Sequence, residues 1–171
     1  RGAKVTLVAG HMEVLPPMFV DVVNVKSAAD MFEAVTKLAP EQDIIVKAAA
    51  VADYTPVAVA DNKIKKSDDD MKIELKRTKD ILGYLGQHKR DGQVICGFSM
   101  ETQDVIKNSE KKLTNKNCDM ICANSLKTAG AGFKTDTNVI TLITEGGAVE
   151  PPMMTKEDAA HRILDELAKM I

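Results

Sequence analysis

The sequence predicts an α/β fold, a three-layer sandwich built on a mainly parallel sheet with protruding β-hairpins. Three observations predict it. Short apolar runs without alternation recur along the chain, such as Asp43-Ile-Ile-Val-Lys-Ala-Ala and Gln93-Val-Ile-Cys-Gly-Phe, and strands buried on both faces read this way. Segments of helical spacing stand between them, as at Ala28 to Leu38 and Thr102 to Asn115, and strand–helix alternation builds a parallel sheet with helices on its faces. One stretch instead alternates with period two, Met71 to Lys76, as hairpins exposed on one side do.

In order, Lys4 to Gly10 is a first strand, and Arg1-Gly2 before it reads as a helix tail with its glycine stop. Leu15 to Met18 is a loop, and Val20 to Val25 is a second strand. Ser27 is the expected N-cap of a helix from Ala28 to Leu38, with Met31, Val35 and Leu38 on one face. Asp43 to Ala49 is the third strand. Lys63 to Lys66 and Met71 to Lys76 are expected to pair as a hairpin across the polar turn Ser67 to Asp70. Asp80 is expected to cap a helix reaching about Lys89, and Gln93 to Phe98 is a fourth strand. The helix from Thr102 carries Lys107, Lys111, Lys112 and Lys116. Its last two lysines are four residues apart, so they share a face about 6 Å apart along the axis. Asp119 to Asn124 is a fifth strand, followed by the glycine-rich loop Gly130 to Lys134. Asn138 to Thr144, a turn at Glu145 to Gly147 and Ala148 to Glu150 form a last hairpin. Thr155 caps a closing helix whose apolar stripe is read as Ala160, Ile163, Leu164, Leu167, Ala168 and Ile171.

The 171 residues suit a single domain, with 44% hydrophobic and 28% charged residues. A net charge of −2 argues against a nucleic-acid binder driven by phosphate contacts. The lack of tryptophan argues against aromatic base stacking. Cys96, Cys118 and Cys122 are an odd set without C-x2-C spacing or a nearby histidine. They read as reduced thiols in a reducing compartment, not as metal ligands. His11, His88 and His161 fit no triad or metal spacing, so no protein metal site is expected. No apolar run approaches the ~18 to 20 residues of a membrane span, and no secretory leader is visible. A cytoplasmic location is the expectation.

Ligands of such sheets bind beyond the C-terminal ends of the strands. Here those ends are Ala48 to Asp53, Phe98 to Thr102 and Ala123 to Ser125. The stretch from Lys47 to Lys66 joins small residues, which let a ligand approach the backbone, to the carboxylate of Asp53 and the lysines Lys63, Lys65 and Lys66. Taken singly, these lysines read as a solvated hairpin face, and Lys112 and Lys116 as surface helix lysines. Asp53 alone reads as a turn residue, Phe98 as core, and Asn124 as a polar group serving loop backbone.

Their order along the chain is more specific. AAAVADYTP followed by NKIKK, then KDIL, GFSMET, EKKLTNKNCDMICAN and GAGFKTDTN together resemble phosphopantothenoylcysteine synthetase. In bacteria this is usually the C-terminal half of a bifunctional coenzyme A biosynthesis protein whose other half is a flavin-dependent decarboxylase. The resemblance covers the whole chain. It implies a Rossmann-like fold and a CTP-dependent ligase that joins 4′-phosphopantothenate to L-cysteine through an acyl-cytidylate. By the same resemblance, Lys63 is the catalytic lysine at the triphosphate. Ala48, Ala49, Asp53, Lys63, Asp80, Ile81, Phe98, Lys112 and Lys116 are expected at the nucleotide, and Ala50 and Asn124 at the substrate. Magnesium would be carried by phosphate oxygens and water, and FMN would belong only to the decarboxylase half. A homodimer and a fused flavoprotein decarboxylase are the implied partners, without nucleic acid or membrane.

Two departures stand out. The family's N-P-D-I is Thr78-Lys79-Asp80-Ile81 here. The family's opening strand with G-G-T-x-E, and its N-x-S-S-G-x-M-G segment, have no match among these residues. Arg1 to Val5 matches the end of the family's first helix and its second strand. The chain is therefore expected to be part of a longer protein, to lack the first strand and helix, and to be inactive alone. The rival readings are a different α/β nucleotide enzyme, such as a dinucleotide-dependent reductase, or a non-catalytic nucleotide-binding or dimerisation module. The reductase wants G-x-G-x-x-G after its first strand, where this chain has Gly10-His11-Met12.

Overall fold

A computed structural model describes residues 1–65, 70–101, 104–125 and 136–171. In chain order the elements are β1 (Thr6–Ala9), β2 (Asp21–Asn24), α1 (Ala28–Leu38), a 3-10 turn (Ala39–Glu41), β3 (Ile44–Lys47), β4 (Tyr54–Pro56), β5 (Leu75–Arg77) and α2 (Ile81–Gln87). They continue with β6 (Val94–Glu101), α3 (Val105–Asn115), β7 (Met120–Ser125), β8 (Thr137–Asn138), β9 (Ile140–Thr144), β10 (Gly147–Val149), β11 (Met154–Thr155) and α4 (Lys156–Leu167). They gather into two compact units, one of Arg1–Val35 with Ala50–Asp80 and one of Thr36–Ala49 with Ile81–Ile171.

In the first unit β1 and β2 run parallel from Thr6 opposite Asp21 to Ala9 opposite Asn24. The predicted cap of α1 is present in reciprocal form. The Asp30 N–H donates to Ser27 Oγ at 3.1 Å, and the Ser27 N–H donates to the Asp30 carboxylate at 2.9 Å, so two otherwise orphaned backbone donors are satisfied. The Ser27 hydroxyl, followed by the Ser27 and Lys26 N–H groups, holds the Asp30 carboxyl below its ordinary range.

The predicted hairpin is corrected. β5 starts at Leu75 and pairs antiparallel with β4, with Tyr54 opposite Arg77 and Pro56 opposite Leu75. Lys63 to Lys65 form no strand, and Lys66 lies outside the described residues with Ser67 to Asp69. Period-two alternation identifies a strand without naming its partner. The partner is fixed by bonds that continue the ladder, from Val57 N–H to Glu74 O at 3.0 Å and from Thr78 N–H to Asp53 O at 2.9 Å.

The second unit holds a five-stranded sheet in the order β10-β9-β7-β6-β3. β3, β6 and β7 are mutually parallel, β9 is antiparallel to β7, and β10 to β9. Residues of β6 and β7 are buried on both faces, which is why these strands lack alternation. Val94, Cys96, Met120, Cys122, Ile140 and Leu142 pack on Ala159, Ile163 and Leu167 of α4. On the opposite face Gly97 lies under Leu82 of α2, and Ser99 Oγ meets Ser109 Oγ of α3 at 2.7 Å, with both residues buried. The three layers expected from the sequence are present within this unit.

The final hairpin closes as predicted, with Thr144 opposite Gly147 and Glu145-Gly146 at the tip. Gly147 has φ +114°, a conformation that side chains resist. Thr155 caps α4 by accepting the Asp158 N–H at 3.0 Å. The stripe of α4 is corrected to Ala159, Ile163 and Leu167, while Ala160, Leu164 and Ile171 are exposed. The helix ends at Leu167, so Ala168 and Ile171 leave its repeat, and Arg162, Glu166 and Lys169 form an ion-paired flank instead. α3 starts at Val105, after Asp104 with φ 47°. The expected start at Thr102 and the glycine-rich loop Gly130 to Lys134 lie outside the described residues.

All three cysteines are free and buried. Burial pushes the Cys118 thiol up to about 11 and the Cys122 thiol up to about 12, and raises Cys96 further. A folded-state pKa above the unfolded value means stability that is whole below the unfolded pKa and is lost as pH rises through the folded one. The urea midpoint is therefore expected to fall from pH 9 to 11, and to fall less in Cys118→Ala. Parallel slopes for the two proteins would contradict this.

Candidate functional site

The second unit aligns its parallel strands so that Lys47 lies opposite Gly97, and Gly97 opposite Ile121. Past this line β3 gives way to exposed Ala48 and Ala49, and Lys47 Nζ turns back to donate to Ala49 O at 2.7 Å. On the next strand Lys112 Nζ donates to Phe98 O at 2.9 Å. Lys112 is half-buried, and Ser109, one turn earlier on α3, is clamped to Ser99 beside Phe98. The helix is thus registered against the strand by a buried hydroxyl pair, and the ammonium is registered by a carbonyl. An ammonium has three donors, so Lys112 keeps capacity for an anionic ligand. The Phe98 ring packs against the core on the α4 face.

α3 runs opposite in direction to β6 and β7. From Lys112 to Lys116 it travels about 6 Å away from the strand C-termini. Lys116 is the C-cap, and its carbonyl abuts Gly86 at the far end of α2. The structure therefore joins Lys112 to Phe98 and sets the Lys116 backbone at the other end of the layer. Ile81, the first residue of α2, is 3% exposed, which leaves its backbone as the part able to meet a ligand. At the end of β7, Asn124 Oδ1 accepts from Asn138 Nδ2 at 3.2 Å.

In the first unit Ala50 and Asp53 are exposed on the run into β4. Thr78 holds this run through its N–H on Asp53 O, and through Oγ1 on Ala52 O at 2.7 Å. The neighbouring Lys79 ammonium lies 4.6 Å over the Phe32 ring, and Asp80 closes the unit. Lys63 is exposed in the segment between β4 and β5. Among the described residues no hydrogen bond or ion pair links it to Asp53. No group of three His, Cys, Asp or Glu residues suited to a metal ion occurs among the described residues. Sequence reasoning missed Thr78, Ser99, Ser109 and Asn138 as partners of these groups. Each is a common polar residue whose importance depends on what stands opposite it, and no spacing announces that.

Residues 1–171 match the DNA/pantothenate metabolism flavoprotein C-terminal domain. The chain belongs to this family. It is 46% identical over 171 residues to the coenzyme A biosynthesis bifunctional protein CoaBC of Bacillus subtilis, covering 99% of this chain and 42% of that protein. It is 42% identical over 172 residues to a cysteine/cysteine sulfinic acid decarboxylase of an unknown prokaryotic organism, covering 99% of this chain and 48% of that protein. The chain thus spans somewhat less than half the length of these curated relatives. The crystal structure of the C-terminal domain of a coenzyme A biosynthesis bifunctional protein CoaBC superposes with a TM-score of 0.81 at 39% identity, over 99% of this chain and 75% of that one. The family assignment agrees with the mixed α/β sheet and with the ordered motifs. No helix among the described residues is long and apolar enough to cross a membrane.

Proposed function

We propose that the protein containing this chain joins 4′-phosphopantothenate to L-cysteine at the expense of CTP, as a phosphopantothenate–cysteine ligase of coenzyme A biosynthesis. The observation that carries the reading is the 46% identity across 171 residues with a coenzyme A biosynthesis protein. The half-buried ammonium of Lys112, held at a strand carbonyl, supports it.

A carboxylate becomes a useful electrophile once its oxygen carries a phosphoryl leaving group. In this reading the substrate carboxylate attacks the α-phosphate of CTP, releasing pyrophosphate. The cysteine amine then displaces CMP to leave the amide. Negative charge grows on phosphate oxygens in both steps, where fixed cations are most effective. Lys63 supplies the positive charge at the triphosphate. Asp53 accepts from the nucleoside, and its backbone is steadied by Thr78. Ala48, Ala49, Asp80, Ile81, Phe98 and Lys112 line the nucleotide, the Lys116 side chain reaches back toward it from the end of α3, and Ala50 and Asn124 line the substrate. Magnesium travels on the phosphates. The full protein is a cytoplasmic homodimer whose other half carries FMN and decarboxylates the product.

The test is a ligation assay on the full-length protein with phosphopantothenate, cysteine and either CTP or ATP, detecting pyrophosphate and the amide. Amide formation with CTP supports the reading. Formation with ATP alone, or cysteine decarboxylation without ligation, would displace it. The isolated 171-residue chain is expected to give no turnover, because the family's G-G-T-x-E and N-x-S-S-G-x-M-G motifs have no match in it.

A further inference from the structure

We infer that Asn138 is a positioning residue that fixes the polarity of Asn124, so that Asn124 presents its amide N–H2, not its carbonyl, to a bound ligand. A carboxamide is nearly symmetric in shape, and turning it by 180° exchanges donor for acceptor. Here the choice is forced from one end. The Val139 N–H points at the Asn138 side chain at 2.9 Å, and a backbone N–H can only donate. That end of Asn138 must be Oδ1, so its other end, Nδ2, faces Asn124 at 3.2 Å. Asn124 must meet a donor with its oxygen, which leaves Nδ2 as its outward group, without a partner among the described residues.

The chain around Asn138 is firmly held. Asn138 sits in β8 opposite Met154, and Val139 leads into buried Ile140, which lies opposite Asn124 on the adjoining strand. The group recognised at the end of β7 is therefore a hydrogen-bond acceptor, such as a phosphate, carboxylate or sugar oxygen or a base ring nitrogen. The nucleotide and the acyl substrate both carry such acceptors. That a ligand meets Asn124, and which acceptor it offers, rests on the proposed function; the polarity of the pair does not.

Aspartate is the diagnostic substitution, because it keeps the shape and removes the donor. Asn124→Asp still accepts from Asn138 Nδ2, so its melting temperature is expected to stay within about 2 °C of wild type, whereas a reversed pair would set the Asn138 amide against the Val139 N–H and melt several degrees lower. Asn138→Asp keeps the bond to Val139 but turns a second oxygen to Asn124, which must swing its N–H2 inward and expose its carbonyl. The double substitution sets oxygen against oxygen, and is expected to melt lower than the single changes sum to.

In the full-length protein, Asn138→Asp and Asn124→Asp are both expected to raise the KM of one and the same substrate by about tenfold or more, leaving the others within about twofold. CTP, phosphopantothenate and cysteine are titrated separately, so the affected substrate names the source of the acceptor. Asn138→Asp with every KM unchanged, or Asn124→Asp that melts several degrees low, would overturn the inference. Absence of ligation in the wild type defeats the proposed function instead, and the melting comparison alone then decides the clamp.

Discussion

Lys63→Gln in the full-length protein is expected to lower kcat by about 10²- to 10³-fold while changing the KM for CTP by less than about threefold. The side chain is exposed and stands outside any strand or helix, so its replacement removes no packing. Any loss must therefore come from chemistry. Glutamine keeps most of the length and a hydrogen-bond donor but loses the charge. A charge matters most where negative charge grows, so the penalty falls on the transition state more than on bound CTP. Lys65→Gln is the matched control from the same exposed segment and is expected to remain within about threefold of wild type. Full turnover by Lys63→Gln, or equal losses in the two variants, would remove Lys63 from the reaction.

Gly86→Ala is expected to destabilise the protein by about 3 kcal/mol or more, at the upper end of what overpacking costs. A Cβ built at Gly86 would stand 1.8 Å from Lys116 O and 2.8 Å from its carbonyl carbon. The obstacle is backbone, so no rotamer change can relieve it. α2 cannot retreat easily, since its own Ile81, Leu82 and Leu85 are buried. The turn after α3 cannot retreat either. Asn117 Nδ2 donates to Gly86 O at 2.8 Å, and Asn117 itself adopts φ 48°. Gly92→Ala separates steric from conformational cost, because Gly92 has φ +75° and nothing within 4 Å. That change should cost only the roughly 1–2 kcal/mol of a left-handed non-glycine residue. Urea unfolding of the three proteins measures both, and similar midpoints for the two variants would refute the close approach.

The buried strands were legible because burial on both faces leaves a continuous apolar run, as in Ile44 to Val46 and Val94 to Cys96. The caps of α1 and α4 were legible because Ser27 and Thr155 precede helical spacing and their hydroxyls have one local use. Partnership was harder to read. Nothing in Tyr54-Thr-Pro marks it as the mate of Leu75-Lys-Arg, since the bonds joining them are backbone bonds that any sequence can make. The stripe of α4 is legible at Ile163 and Leu167 but not at Ala159, because small and apolar residues flank the buried rail on both sides, and only contact with β6, β7 and β9 selects it. At the candidate site, the motifs nominate Lys112 and Asn124 as candidates, but Phe98 O and Asn138 become visible as their anchors only once strands from distant parts of the chain lie side by side.

The buried thiols make the second unit its own timekeeper. An alkylating reagent attacks the thiolate, so a sulfur sealed in the interior is modified only during the moments when its surroundings part. Cys118, in the turn before β7, counts departures of that turn from α3. Cys96 and Cys122, on adjacent central strands under α4, count departures of that helix from the sheet. Three pulse-labelling rates on one unmodified polypeptide thus report how often its periphery and its centre come open, without any introduced probe.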